Sequence, residues 1–432
     1  MIHENKECKC GKIHINPVDE VLVGNGVVNE LPRIIKKNNL KKAFILADVN
    51  TYKVAGEKVS ELLNDAEIQF SEYIFKDTHL EPDEKAVGSA VMHFDNSCDV
   101  IVAVGSGVIN DIGKILSKLS GKFYVIVATA PSMDGYASES SSMAMDGVKV
   151  SLNTKCPNII ISDIDILKTA PDNMLRAGMG DMLAKYISIA EWRISNLITG
   201  EYYCEEVAEL VRESLKCCVD NAEALLKKDE TAIESVFEGL VKSGIAMSYA
   251  GISRPASGGE HYLSHIWDMR GLEFGTPIDL HGIQCAIGTY VAAELYEKLK
   301  RTVPDEKRAL SYVKEFDFAG WADELREFVG RGAEAMISLE KKEKKYDVNK
   351  HGKRIESIIK NWDKILKIIN EEIPSVSELE SVYDIMKLPK SPEEIGISKD
   401  ILPMTFKASK DIRDKYVLSR LAWDLGIIDE II

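Results

Sequence analysis

Two short apolar runs each end abruptly in small and polar residues. Asp99-Val100-Ile101-Val102-Ala103-Val104 stops at Gly105-Ser106-Gly107, and a helical pattern starts at Val108. Ile126-Val127-Ala128 runs into Thr129-Ala130-Pro131-Ser132-Met133-Asp134-Gly135-Tyr136-Ala137-Ser138, a loop of hydroxyls with one carboxylate and one glycine. A run that is apolar at every position is a strand buried on both faces. Such strands occur in parallel sheets whose two sides are both covered by helices.

The same alternation runs upstream. Lys42 to Ala47 reads as a strand with Asp48 at its end, Val54 to Leu63 as a helix, Tyr73 to Phe75 as a strand and Lys85 to Phe94 as a helix. Asn158 to Asp163 is the last strand in the pattern. From Pro171 the period changes to helical, over Met182 to Ile198, Glu205 to Leu226 and Ile233 to Met247. Lys341 to Ile369 is charged and amphipathic, with Ile355, Ile358, Ile359, Trp362, Ile365 and Ile368 forming a packing stripe. A chain of 432 residues exceeds one compact core. The expected class is α/β: a Rossmann-like parallel-sheet domain over 1–165, then an all-helical domain over 166–432.

Formal net charge is −15, which argues against nucleic acid or an anionic membrane as the main partner. No apolar stretch is long enough to span a bilayer. Glu4, Lys6, Glu7 and Lys9 precede any apolar run, so a signal-peptide core is not expected. The eight cysteines are scattered, as suits reduced thiols and a cytoplasmic setting. Cys8, Cys10 and His14 cluster near the start, with no second cysteine pair nearby in sequence; the cluster reads as an ordered N-terminal arm rather than a metal site.

The chemistry-bearing residues fall into two groups. Gly105-Ser106-Gly107, between a strand and a helix, lets backbone N–H groups approach a phosphate closely. Asp48 at a strand end either accepts hydrogen bonds from ribose hydroxyls or caps the following helix, since Asn50 and Thr51 are also capping types. The second group is Asp181, His261 and His281: one carboxylate and two imidazoles leave open positions on a divalent cation, as catalytic sites require. His265 lies four residues after His261 and shares its helix face. The segment lacks the H-E-x-x-H pattern of metalloproteases. Arg254 is open between an anion partner and a surface salt bridge, and Lys185 between a supporting contact at the metal and a surface lysine.

These blocks, with Gly178 to Lys185, Ser243-Gly244-Ile245-Ala246-Met247-Ser248, Arg254-Pro255-Ala256-Ser257-Gly258-Gly259-Glu260-His261 and His281-Gly282-Ile283-Gln284, resemble the sn-glycerol-1-phosphate dehydrogenases. That family is a branch of the superfamily of iron-type alcohol dehydrogenases and dehydroquinate synthases. The resemblance implies a dehydroquinate synthase-like fold and a reversible, NAD(H)-linked reduction of dihydroxyacetone phosphate, with NADP(H) also admitted. It implies that Asp48 binds the adenosine ribose, that Gly105, Ser106, Gly107, Val108 and Ile109 hold the pyrophosphate, and that Thr129, Ala130, Pro131 and Ser132 line the nicotinamide. Ser138 would touch the cofactor, and Asp134 and His265 the substrate. Asp181, His261 and His281 would be the catalytic metal ligands, for Zn2+ or Ni2+, with Asp181 also near substrate. Ser106 and Met133 stand where archaeal members often carry Gly and His, which resembles the bacterial branch. A homodimer acting on a small phosphorylated substrate is the further expectation. A glycerol, polyol or alcohol dehydrogenase of the same superfamily is the alternative.

Overall fold

The computed structural model describes residues 7–146 and 148–432. Eight strands follow in chain order: β1 (Glu20–Gly24), β2 (Lys42–Asp48), β3 (Gln69–Phe75), β4 (Val100–Gly105), β5 (Phe123–Ala128), β6 (Ser140–Met145), β7 (Val148–Asn153) and β8 (Ile159–Asp163). Six of them form one sheet in the order β1-β8-β5-β4-β2-β3, every pair parallel. β6 and β7 form a separate antiparallel hairpin.

The apolar runs explain the sheet. Ala43, Ile45, Ala47, Val102, Val104, Val125, Val127 and Ile161 share one buried face and one core. Phe44, Leu46, Ile101, Ala103, Tyr124 and Ile126, the alternate positions, are buried as completely on the other side. Both faces are therefore out of water, and the α/β reading from the strand composition holds. Three strands, β1, β6 and its hairpin partner β7, escaped the sequence pattern. β1 is an edge strand whose five residues are all half-buried, so it lacks a continuous apolar signal. β6 opens on three serines, poor strand formers; it is held from outside itself, by Ser141 Oγ donating to Asp111 O at 3.1 Å and Ser142 N donating to Asp111 Oδ2 at 3.2 Å.

The helices that carry the site and its surroundings are α1 (Gly107–Ser120), α2 (Asp172–Leu183), α3 (Lys185–Thr199), α4 (Glu205–Asp220), α5 (Glu230–Ala250), α6 (Gly259–Phe274), α7 (His281–Leu299), α8 (Ala333–Glu343), α9 (Val348–Lys360) and α10 (Trp362–Glu372). The expected single helix from Met182 to Ile198 is divided at Ala184 between α2 and α3. The expected stripe of isoleucines spans α9 and α10; Ile355, Ile358, Ile365 and Ile368 are buried, whereas Ile359 lies on the exposed side.

The chain divides into two compact units. The first runs to Met182 and resumes over Glu209–Ile252; the second comprises Leu183–Ala208 and Ser253–Ile432. The sheet and hairpin belong to the first unit, and the second carries no strand among the described residues. No described helix is long and apolar enough to cross a membrane.

Candidate active site

In the first unit, β2 pairs with β3 on one side and β4 on the other. The chain therefore runs outward from β2 to β3, then returns to the opposite side, and the strand order reverses between β2 and β4. Open α/β sheets bind ligands beyond the carboxyl ends of the strands at such a reversal. Asp48 and Gly105 occupy those two carboxyl ends. Asp48 caps the turn after it: Asn50 N donates to its Oδ1 at 2.7 Å and Thr51 N to the same oxygen at 2.9 Å. Both bonds fall on Oδ1, so the capping role that the sequence left open is present and uses one oxygen.

The turn after β4 is tight. A Cβ on Gly105 would lie 2.5 Å from the Ile109 Cβ, so no other residue fits without displacing α1. Ser106 is the N-cap of α1 and makes no side-chain bond to the helix start. Its hydroxyl instead meets the loop after β5, with Ser106 Oγ and Ser132 Oγ 2.6 Å apart. Tyr136 OH donates to Ala130 O at 2.7 Å and to Ser106 Oγ at 3.2 Å, locking the two loops together. The first N–H groups of α1, from Gly107, Val108 and Ile109, stand at the positive end of a 14-residue helix, where anions are favoured.

Lys114 is wholly buried on α1 and was not singled out from the sequence. Its ammonium donates to Gly135 O at 2.5 Å, Ser138 Oγ at 3.1 Å and Ser140 O at 2.9 Å, which ties down the far end of the loop. The signal was available: Asn110, Lys114 and Ser117 occupy helix positions flanked by buried isoleucines, and all three are buried. Asp134 sits in the same loop. Its backbone N–H donates to Asp181 Oδ2 at 2.9 Å, and its own Oδ2 accepts from Ser243 Oγ on α5 at 2.9 Å. Asp181, fully buried on α2, is thus oriented by the loop that follows β5.

Gly178, one turn before Asp181 on α2, touches that loop from the other side. A Cβ there would lie 1.9 Å from the carbonyl oxygen of Pro131. Backbone against backbone cannot yield cheaply, so Gly178→Ala is expected to cost about 1–3 kcal/mol, as overpacking does. Thermal unfolding checks this: a variant with unchanged midpoint would mean that the loop relaxes freely.

In the second unit, His261 stands in the first turn of α6 and His281 opens α7. Their ring centroids are 5.0 Å apart, with His265 5.8 Å from His281 and 6.4 Å from His261. One ligand atom each of His261, His281 and Cys285 falls within 4.8 Å of the others. The helices approach closely because Gly288 of α7 lies against α6; a Cβ on it would be 2.4 Å from Glu260 O. Cys285, one turn after His281, was missed in the sequence although the i, i+4 spacing places it on the same face. Its Sγ is 3.5 Å from His281 Nε2. Burial pushes the Cys285 thiol up, but the imidazoles of His261 and His281 outweigh it and hold the thiol below its usual range. Desolvation keeps His265 neutral, its pKa lowered to about 3. His265 Nδ1 has no hydrogen-bond partner among the described residues.

A carboxylate behind His261 sets its orientation. Glu260 Oε1 accepts from His261 Nδ1 at 2.7 Å and from Gly258 N at 2.7 Å. An imidazole that donates Nδ1–H to a carboxylate presents the Nε2 lone pair, the arrangement usual for a metal-ligating histidine. Glu191 of α3 accepts from Gly259 N at 2.7 Å and from Leu418 N at 2.7 Å. Burial, reinforced by the neighbouring Glu260, pushes the Glu191 carboxyl up to about 8. Lys185 Nζ donates to Ala256 O at 3.0 Å and Ser188 Oγ to Pro255 O at 3.1 Å. Arg254, 1% exposed, pairs with Glu201 at 2.6 Å and donates to Tyr416 O at 3.0 Å. Neither Arg254 nor Lys185 is a surface residue; both hold the segment that leads into α6. The carboxylate-backed imidazole of His261, with His281 and a thiol drawn toward its anion beside it, suits a divalent transition metal.

Residues 22–171 match the family model described as iron-containing alcohol dehydrogenase. Two solved structures show the same fold. A 1,3-propanediol oxidoreductase superposes with a TM-score of 0.63 at 13% identity, over 96% of this chain and 98% of that one. A glycerol dehydrogenase from Schizosaccharomyces pombe gives 0.59 at 17% identity, over 96% and 90%. The architecture is therefore that of the iron-containing alcohol dehydrogenases. Among relatives in sequence, glycerol-1-phosphate dehydrogenase [NAD(P)+] of Halalkalibacterium halodurans is 36% identical over 68% of this chain and 75% of its own length. The enzymes of that name from Bacillus subtilis (34%, covering 65% and 72%) and Pyrococcus horikoshii (34%, covering 64% and 78%) are similar to it as well. The chain belongs to the glycerol-1-phosphate dehydrogenase family.

Proposed function

We propose that this chain is a metal-dependent, NAD(P)-linked dehydrogenase that interconverts dihydroxyacetone phosphate and sn-glycerol 1-phosphate. The observation that carries this reading is the 36% identity to a glycerol-1-phosphate dehydrogenase [NAD(P)+] across three quarters of that enzyme. In this reading Asp181, His261 and His281 hold one divalent cation, zinc or nickel. Such a cation supplies Lewis-acid polarisation of a carbonyl oxygen. Glu260 keeps His261 in the ligating tautomer, and the Asp134 N–H keeps the Asp181 carboxylate in place. The second oxygen of Asp48 receives the ribose hydroxyls, while Gly105 to Ile109 present their N–H groups to the pyrophosphate. Thr129 to Ser132 border the nicotinamide, with Ser138 at the cofactor, and Asp134 and His265 contact the substrate. A cytoplasmic homodimer completes the proposal, the dimer supported by the family resemblance and the compartment by eight cysteines scattered without a disulfide framework.

Comparing dihydroxyacetone phosphate with dihydroxyacetone as oxidant of NADH, after reconstitution with zinc or nickel, tests the substrate class. The phosphorylated ketone is expected to be the better substrate by kcat/KM. Equal or faster turnover of dihydroxyacetone would favour a polyol dehydrogenase instead. Asp48→Gly is expected to weaken NADH by about tenfold or more, the value of hydrogen bonds to a charged acceptor. It should weaken NADPH much less, because the ribose 2′-phosphate is repelled by the carboxylate it loses. Equal loss for both cofactors, read by fluorescence titration, would remove the ribose role.

A further inference from the structure

The first unit contains a second set of soft ligands far along the chain from Asp181. Residues 7–14 form a small hairpin: Glu7 and Ile13 bridge antiparallel, Cys8 N donates to Lys12 O at 2.9 Å and Gly11 N to Cys8 O at 2.8 Å. Gly11 has φ +81°, a left-handed conformation that glycine adopts without strain. The turn folds Cys10 back so that its N–H points at Cys8 Sγ, 3.5 Å away. His14 follows with its Nε2 3.5 Å from Cys10 Sγ. Its Nδ1 faces Tyr249 O of α5 at 3.0 Å, and Lys12 Nζ donates to Ala250 O at 2.9 Å, so the hairpin is anchored on the end of that helix. His14 is 1% exposed and Cys8 8% exposed.

We infer that Cys8, Cys10 and His14 bind a zinc ion that staples the N-terminal hairpin to α5. One ligand atom from each of the three lies within 4.8 Å of the other two. A thiolate at about 2.3 Å and an imidazole nitrogen at about 2.0 Å from a tetrahedral zinc stand about 3.5 Å apart. That is the separation between Cys10 Sγ and His14 Nε2. The Nδ1 contact to a backbone carbonyl fixes the tautomer that ligates through Nε2. Two thiolates with an imidazole select zinc over magnesium or calcium. In sequence alone, the spacing C-x-C-x3-H lacked a partner; the hairpin and its anchor on α5 supply the geometry. The site is independent of the proposed dehydrogenase chemistry.

Metal analysis of the zinc-reconstituted full chain tests it. The double variant C8S/C10S is expected to bind one zinc equivalent fewer per chain than wild type, while NADH-linked turnover persists. Unchanged stoichiometry would overturn the site. Cobalt substitution guards against a variant that fails to fold. Thiolate-to-cobalt charge-transfer absorption is expected in wild type and in Cys285→Ser, with an intensity of two or more thiolates. Its absence from the Cys285→Ser protein would equally contradict the assignment, because the only thiolate near cobalt would then be Cys285.

Discussion

His261→Ala is expected to lower kcat/KM for dihydroxyacetone phosphate by about 10³-fold or more if His261 holds the proposed metal, since a metal Lewis acid is worth several kcal/mol and each 1.4 kcal/mol is about tenfold. On the proposed reading the variant also loses metal, because an imidazole with a buried carboxylate behind it is a strong donor. Glu260→Gln sharpens the result. It keeps the shape of the side chain but no longer accepts from His261 Nδ1 with a full charge. Loss of such a supporting bond weakens metal affinity by about 10- to 100-fold. Excess metal should therefore rescue Glu260→Gln and fail to rescue His261→Ala. If both variants keep full metal and full turnover, His261 is not a ligand.

Gly288→Ala is the second large effect, and it acts at a distance from any reacting atom. The new methyl would sit 2.4 Å from Glu260 O, so α6 and α7 must separate. Overpacking of this kind costs about 1–3 kcal/mol. The separation also shifts His281 relative to His261, and a displacement of about 1 Å in a catalytic constellation costs about 10²-fold in rate. Stability and kcat/KM should fall together in this variant. In Gly352→Ala, by contrast, the added methyl meets nothing within 4 Å; kcat/KM should not change, and stability should rise by about 0.5–1 kcal/mol, because alanine is the better helix former inside α9. Normal activity in Gly288→Ala would show that the close crossing of the two helices is not what aligns the imidazoles.

The parts of the fold legible in sequence were those in which one residue decides burial by itself. β2, β4, β5 and β8 are apolar at nearly every position, so their burial on two faces is written into their composition. β1 and β6 owe their strands to partners, and a half-buried edge or a run of serines carries no such mark. The site followed the same division. Histidines and aspartates are visible in sequence as candidate ligands by type alone: His261 and His281 stand at helix starts, whereas Asp181 lies in the last turn of α2 and not at the start of a helix. The Asp134 N–H that holds the Asp181 carboxylate, and Glu191 and Lys114, which hold the neighbouring segments, act through contacts between parts distant in the chain. Lys185 and Arg254 were seen but left open, because only the tertiary structure shows a lysine donating to the Ala256 carbonyl or an arginine buried against Glu201. Cys8, Cys10 and His14 show the reverse case: the residues are plain in sequence, and the turn that brings them together is not.

On the proposed reading Asp181, His261 and His281 share one cation that serves dihydroxyacetone phosphate reduction. Anomalous diffraction at the zinc edge, from crystals of the reconstituted chain grown with NADH, tests it most directly. A peak is expected about 2.0–2.2 Å from an oxygen of Asp181 and a ring nitrogen of each histidine. An anomalous map without density at those three side chains, from protein that reduces dihydroxyacetone phosphate, would contradict it.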